Sequence, residues 1–449
     1  MGLTGIQIFK LLPKTNCGQC KYPTCLAFAM ALAAAKAELD ACPHVSEESR
    51  AELSDASAPP IRQLSIGTGE YELKIGGETV MFRHEKTFFN KPGFAVLITD
   101  AMSDAETERR FSALSDFTYE RVGVAMKAEM AALKHTGSND RFLELVKRAC
   151  SKPYSFILMT SDEVVLKSAV ELSKSRKPLI YAATEDNVEL FGNIAKGNGL
   201  PIVAKGDGID KTAAVVEKLL SMGIKDVVLD TSTRGIKDGF QEQIAIRRAA
   251  LVSKNKLLGF PTITFPAEMT ENKMKEALIA SLFVAKYAGI IVLSDLAGET
   301  VFPLMLQRLN IYTDPQRPMT TKQGIYPINN PDVSSPVLVT ANFSLTYFVV
   351  SSEIENSRVP AWLCVMDTEG LSVMTAWAAG KFLGDQVGDF IKKSGVMEKV
   401  SHKKLIIPGY SAAILGELEE ELPGWQIIIG PREAAHIPAL LKNWKKESI

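Results

Sequence analysis

The chain has 449 residues, and at roughly 150 residues per domain that length predicts about three domains. Hydrophobic residues make up 46% and charged residues 23%, a globular mix that excludes a disordered, collagenous or coiled-coil chain. Lys and Arg total 51 against 52 Asp and Glu, and this net charge of −1 argues against nucleic-acid or anionic-lipid partners.

The first region runs to about Ala58 and is helical and alanine-rich, with a helix expected over Thr24–Leu39 and the breaker Ala58-Pro59-Pro60 at its end. Its longest apolar run, Cys25–Ala35, is too short to cross about 30 Å of hydrocarbon. The segment before it, with Lys10, Lys14 and Gln7, lacks the apolar core and cleavage site of a secretory signal. A soluble, cytoplasmic protein with no membrane partner is expected, and its thiols stay reduced there. Gln63–Phe89 alternates polar and apolar residues around Gly67, Gly69 and Gly76-Gly77, the pattern of one or two β-hairpins.

From Gly93 onward, short apolar runs read as buried strands: Phe94–Thr99, Ser155–Thr160, Pro178–Ala183, Pro201–Ala204, Asp226–Asp230, Thr262–Phe265 and Gly289–Leu293. Amphipathic stretches lie between them, such as Asp140–Cys150, Glu163–Ser175, Lys211–Met222 and Asn272–Tyr287. Seven or eight such units over this length fit a (β/α)8 barrel better than an open sheet. Tyr312–Pro336 holds Pro315, Pro318, Pro327, Pro331 and Pro336 and reads as a linker and candidate hinge. Four further β–α units follow, with strands at Val337–Thr340, Ala361–Asp367, Lys404–Ile407 and Trp425–Ile429. Their helices are expected at about Ser344–Glu355, Ser372–Lys393, Ser411–Leu422 and Arg432–Trp444. Such a series predicts a small doubly wound domain of Rossmann type. The fold class is α/β in three parts: a small α-helical module over residues 1–58, a TIM (β/α)8-type barrel with a β-hairpin lead-in over 59–320, and a Rossmann-like domain over 321–449.

Of six cysteines, four crowd the N-terminal module: Cys17, Cys20, Cys25 and Cys42, spaced C-x2-C-x4-C-x16-C. Gly18 lets a turn fold between the first two, Cys25 opens a helix, and Cys42 follows that helix just before Pro43. Four thiolates from one segment suit zinc or an iron–sulfur cluster. Zinc ribbons usually present two short knuckles, whereas Cys42 has no close partner. The aliphatic neighbours Leu26, Phe28, Met30 and Leu32 suit a shielded redox cluster, so the pattern favours 4Fe–4S over structural zinc. Cys150 and Cys364 stand alone and read as packed small apolar residues.

The stretch Leu11-Pro-Lys-Thr-Asn-Cys-Gly-Gln-Cys-Lys-Tyr-Pro-Thr-Cys25, with Ala-Cys42-Pro, resembles the N-terminal cluster module of the corrinoid/iron–sulfur protein large (gamma) subunit, the methyl carrier of the acetyl-CoA decarbonylase/synthase system. The resemblance covers essentially the whole chain, since that family has a central TIM barrel and a C-terminal corrinoid domain. It implies two cofactors: a 4Fe–4S cluster on Cys17, Cys20, Cys25 and Cys42, and a corrinoid (cobalamin) in the last domain. It implies a methyltransferase component without a catalytic side chain, because the chemistry belongs to cobalt. Co(I) would accept the methyl group of a methyltetrahydrofolate-type pterin and deliver it as methyl–Co(III) to acetyl-CoA synthase in the reductive acetyl-CoA (Wood–Ljungdahl) pathway, and the cluster would return Co(II) to Co(I). The implied partners are the small subunit, in a heterodimer through a homologous barrel, the methyltetrahydrofolate:corrinoid methyltransferase, CO dehydrogenase/acetyl-CoA synthase, and a low-potential electron donor such as ferredoxin.

Open α/β sheets bind ligands beyond the carboxyl ends of their strands. Here those ends are the loops Thr340–Thr346, Asp367–Val373, Pro408–Ser411 and Gly430–Ala434, which mix small residues with hydroxyls near helix starts. By match of position with the family, the corrinoid contacts are Thr340, Thr346, Gly370, Leu371, Ser372, Val373 and Ala434; on spacing alone, a Ser or Thr there is more often a helix cap than a ligand contact. There is no G-x-G-x-x-G, no Walker A loop and no D-x-H-x-x-G, and neither His402 nor His436 stands in a ligand context. The corrinoid is therefore expected base-off, with no protein histidine on cobalt. Two rival readings remain on the residues. Asp100, Thr160, Asp230 and Asp295 fall near barrel strand ends, where a pterin methyltransferase would carry catalytic groups, although helix caps explain them as well. The other rival is an electron-transfer protein with an unrelated α/β tail.

Overall fold

The computed structural model describes residues 4–33, 37, 39–46, 49, 53, 59–121, 124–314 and 318–447. The chain divides into two compact units, Met1–Thr118 with Lys127–Tyr312, and Tyr119–Met126 with Thr313–Ile449. Among the described residues no helix is long and apolar enough to cross a membrane.

The N-terminal module of the first unit holds helices Gly5–Leu11 and Cys25–Ala33. Thr4 and Gln7 form a capping box on the first, and the Thr24 hydroxyl accepts the Ala27 N–H at the start of the second. The expected helix to Leu39 crosses residues 34–36 and 38, which lie outside the described residues, as does Ala58 of the breaker. Ile8, Leu12, Phe28, Ala29 and Val45 bury a small core together with Cys20, Cys25 and Cys42.

The strands of this unit begin with an antiparallel hairpin, β1 (Leu64–Ile66) and β2 (Leu73–Ile75). After β3 (Gly93–Thr99), a second hairpin of β4 (Tyr119–Arg121) and β5 (Val124–Met126) leaves for the other unit. The barrel continues with β6 (Met130–Lys134), β7 (Ser155–Met159), β8 (Leu179–Ala183) and β9 (Ile202–Lys205). It ends with β10 (Val227–Asp230), β11 (Ile263–Thr264) and β12 (Ile290–Leu293). The eight strands β3 and β6–β12 pair in parallel in chain order, and β12 returns to β3. The ring is nearly closed. Its seam lies at the two-residue strand β11, joined to β10 by one parallel bridge between Leu229 and Thr262. Inward side chains alternate with outward ones along each strand, as barrel geometry requires. Met130 and Ala132 share the interior core with Ile157, Leu179, Val203 and Ile290, and Leu64, Ile66, Leu73 and Ile75 of the first hairpin join the same core. That hairpin is the barrel's plug, and Gln63–Phe89 supplies only this one.

The second unit holds a five-stranded sheet of β13 (Gly324–Ile328), β14 (Val337–Ala341), β15 (Ala361–Met366), β16 (Lys404–Ile407) and β17 (Gln426–Ile429). Its order is β13-β15-β14-β16-β17. β14–β17 run parallel, and β13 lies antiparallel along β15. The expected proline-rich linker therefore contains a strand. Pro327 sits opposite Trp362 in that edge strand, where a missing N–H is tolerated. Pro315 of the same linker lies outside the described residues. The helix expected over Ser372–Lys393 is two helices, Val373–Ala378 and Gly384–Ser394, separated where Gly380 takes φ +70°. Core residues cover both faces of the sheet. Successive strands leave β14 in opposite directions, and the sheet opens there into a crevice at its carboxyl edge.

Candidate functional site

The crevice is a cleft of about 310 Å3 within the second unit. Every parallel strand contributes its carboxyl end: Thr340 from β14, Ser372 and Val373 after β15, Pro408 and Tyr410 after β16, and Gly430–Arg432 after β17. The helix Ser344–Ser357 lays Leu345 and Val349, one turn apart, along the cleft, with Thr346 and Val350 beside them. Leu345, Val349, Met374 and Tyr410 are exposed, and Leu345 keeps 61% of its surface open. An apolar rim left open to water is the mark of a ligand groove. Inside it, the Thr340 hydroxyl is buried without a hydrogen-bond partner. Such a group costs roughly 1–3 kcal/mol unless a ligand satisfies it.

Five of the seven expected contacts, Thr340, Thr346, Ser372, Val373 and Ala434, meet in this cleft. Gly370 and Leu371 are not among its lining residues. Gly370, at φ +77°, donates its N–H to Asn342 Oδ1 at 3.0 Å, and a Cβ there would fall 2.8 Å from Thr320. Leu371 packs toward the sheet core. The residue that shapes this loop is Asn342. Its Oδ1 also accepts the Thr368 N–H at 3.0 Å, and its Nδ2 donates to Asp367 Oδ1 at 2.8 Å. Sequence reading passed over Asn342, and a buried asparagine directly after a strand was the available signal.

In the N-terminal module, Cys20, Cys25 and Cys42 share one buried cluster while Cys17 is exposed. The loop that carries them takes positive φ at Lys14, Asn16, Gly18 and Lys21, so it doubles back repeatedly. Asn16 Oδ1 accepts the Cys25 N–H at 2.8 Å and ties the loop to the helix start. The Gln19 backbone and the Thr15 hydroxyl hold the Cys17 thiol below its usual range. Among the described residues no three His, Cys, Asp or Glu side chains stand in metal-holding geometry, and the four thiols fit a thiophilic group only by their donor chemistry and their shared segment. Cys364, by contrast, is buried in β15 and its thiol is pushed up to about 12 by desolvation.

The carboxylates at the barrel's carboxyl face are already engaged. Asp100 accepts the N–H groups of Thr136, Gly137 and Ser138 at 2.8, 3.2 and 2.9 Å. Burial opposes its charge, but these donors outweigh it and hold the carboxyl below its usual range. Thr160 accepts the Asp162 N–H at 3.1 Å, and Asp295 pairs with Arg109 at 2.7 Å. Asp230 is buried between the Tyr181 hydroxyl at 2.7 Å and the Arg234 guanidinium at 3.1 Å. Arg234 continues to Glu268 at 2.7 Å, and Glu268 to Lys134 at 3.1 Å.

A family model described as the CO dehydrogenase/acetyl-CoA synthase delta subunit matches residues 63–441. A domain model described as "Putative Fe-S cluster" matches residues 12–44, which span all four clustered cysteines. The corrinoid/iron-sulfur protein large subunit of Moorella thermoacetica is 39% identical over 98% of this chain and 99% of its own length. The acetyl-CoA decarbonylase/synthase complex subunit gamma of Methanothermobacter thermautotrophicus is 33% identical over 100% of both chains. Its counterpart in Archaeoglobus fulgidus is 34% identical over 98% of both. Matched nearly end to end, the chain belongs to the family of corrinoid/iron–sulfur protein large subunits, the gamma subunits of acetyl-CoA decarbonylase/synthase complexes.

Proposed function

We propose that this chain is a corrinoid-dependent methyl carrier, with the corrinoid in the cleft of a Rossmann-like C-terminal domain and a 4Fe–4S cluster on Cys17, Cys20, Cys25 and Cys42. The observation that carries the reading is the cleft itself: an exposed apolar rim over all four parallel strand ends, with an unpartnered Thr340 hydroxyl inside. A bound corrinoid supplies a nucleophilic Co(I) that exchanges a methyl group between a methyltetrahydropterin donor and acetyl-CoA synthase, and the cluster supplies the electron that restores Co(I).

The side chains hold and orient. Leu345, Val349 and Met374 offer an apolar bed to a flat macrocycle, and Thr340, Thr346 and Ser372 offer hydroxyls to its amide edge. Among the described residues no histidine lines the cleft. His402 lies 2.9 Å from the Ser335 carbonyl with its ring edge-on to Trp444, and His436 is exposed at the turn Ala434–His436. This supports a base-off corrinoid without a protein ligand. The engaged carboxylates of the barrel face favour a scaffold, for a partner such as the small subunit, over a second active site. The methyltransferase, acetyl-CoA synthase and a low-potential electron donor are the further partners of this reading.

Iron, cobalt, zinc and acid-labile sulfide measured on one anaerobic sample reconstituted with corrinoid test it. Matched iron and sulfide with bound cobalt are expected. Zinc without sulfide would overturn the cluster, and absence of cobalt uptake would overturn the carrier.

A further inference from the structure

The cleft is apolar with a few hydroxyls and a single cation. Among its lining residues Arg432 alone carries a charge. The adjacent carboxylate, Glu433, accepts the Tyr410 hydroxyl at 3.0 Å, while the Arg432 guanidinium lies 5.9 Å from the Tyr410 ring centroid. Arg432 is exposed at the rim, and its fork of donors is free to meet an incoming group.

The backbone that carries Arg432 is clamped. Gly409 donates its N–H to the Pro431 carbonyl at 3.1 Å, and Gly430 donates to the Ile407 carbonyl at 2.8 Å. A Cβ on Gly409 would fall 2.6 Å from the Gly430 carbonyl oxygen and 2.7 Å from the Arg432 nitrogen. The loops after β16 and β17 are thus locked together by a close approach that only glycine permits. The cation therefore springs from a held backbone beside a groove lined by apolar side chains and by the orphan Thr340 hydroxyl. The ligand this arrangement fits has a broad apolar body, a hydrogen-bonding edge and one anionic group.

We propose that Arg432 forms an anion subsite that takes the phosphodiester of the corrinoid's nucleotide tail. This rests on the corrinoid reading above and adds a specificity to it. A guanidinium matches phosphate oxygens in bidentate geometry, and an apolar wall strengthens the contact relative to open water. The macrocycle alone offers Arg432 only neutral amide oxygens and no anion, so the subsite selects corrinoids that carry the phosphate over those that lack it.

Cobinamide and cobinamide phosphate differ only in the phosphate, and neither carries a lower base that could ligate cobalt. Equilibrium dialysis of both against the full-length chain tests the subsite. The wild-type chain is expected to bind cobinamide phosphate about tenfold more tightly, a preference that shrinks as salt is raised. Arg432→Ala is expected to abolish that preference by weakening the phosphate form alone, and Arg432→Lys to keep part of it. Unchanged cobinamide binding by the alanine variant shows that the cleft is intact. Equal loss for both ligands, or a preference that survives in the variant, would overturn the subsite. A wild-type chain that binds neither overturns the corrinoid reading itself, and the subsite with it.

Discussion

Thr340 separates ligand binding from stability at a single atom. Its hydroxyl is buried and unpartnered, so it costs the empty protein and rewards the occupied one. Thr340→Val removes the orphan group while keeping the shape. We expect the corrinoid-free chain to gain up to about 1 kcal/mol in denaturant unfolding, while corrinoid affinity falls several-fold. Loss of both together would make Thr340 a packing residue only. Cys20 offers the complementary separation. It lies in the N-terminal module, and the cleft residues lie in the other unit. Cys20→Ala should abolish iron uptake and reductive reactivation while leaving corrinoid affinity unchanged, as followed by iron analysis and by the Co(II) spectrum under reductant.

At the scale of elements, the helix Asp104–Asp116 shows how the barrel's flank is held. Glu106 accepts Arg109 at 2.8 Å and Arg110 at 2.8 Å. Arg109 reaches on to Asp295 beyond β12, and Arg110 reaches the Leu97 carbonyl of β3 at 2.6 Å. The two arginines pull the Glu106 carboxyl down to about 2. A carboxylate depressed in the folded state adds stability above its ordinary range, and that share is lost as pH falls toward about 2. Glu106→Gln should lower stability near neutrality and flatten that acid limb in a pH series of urea unfolding, the two proteins converging at low pH; an unaltered limb would remove the pair from the account.

Most of the barrel was legible because its strands are continuous apolar runs. The exception is β6, Met130-Ala-Ala-Leu-Lys134, whose two alanines have little strand preference and which pairing with β3 and β7 alone makes a strand. β13 was hidden by Pro327, which counts against a strand except at an edge. The cleft was legible as four loops, since the position of a ligand site follows from strand direction. Which loop residues line it was not, because the loop carrying Gly370 is shaped by Asn342, a residue whose partners lie on another loop.

For the whole molecule, the division into units changes where motion can occur. The chain passes between them at Thr118–Tyr119 and Met126–Lys127 as well as after Tyr312. Movement of the C-terminal unit cannot be hinged on the proline-containing segment alone, since β4 and β5 travel with that unit. The hairpin is attached by contacts, with the Arg121 guanidinium 5.7 Å from the Phe348 ring and the Glu120 charge felt by the Tyr347 hydroxyl. A protease site placed at residues 315–317 and cut in the native protein should leave the fragments together on size exclusion, and deletion of residues 119–126 from the cut chain should release the C-terminal fragment. Fragments that part with the hairpin present would show that it anchors nothing.

The same hairpin sets an order of assembly during synthesis. Its strands emerge with the early barrel, long before the helix Ser344–Ser357 that receives them. The barrel can close while the chain is still being made, but the C-terminal unit is complete only when it reaches back to an arm already waiting on the finished part. Such a long-range contact is slow to form, and until it does an unpaired hairpin is open to wrong partners. Release from the ribosome, rather than closure of the barrel, is then the moment at which this protein is most exposed to misassembly.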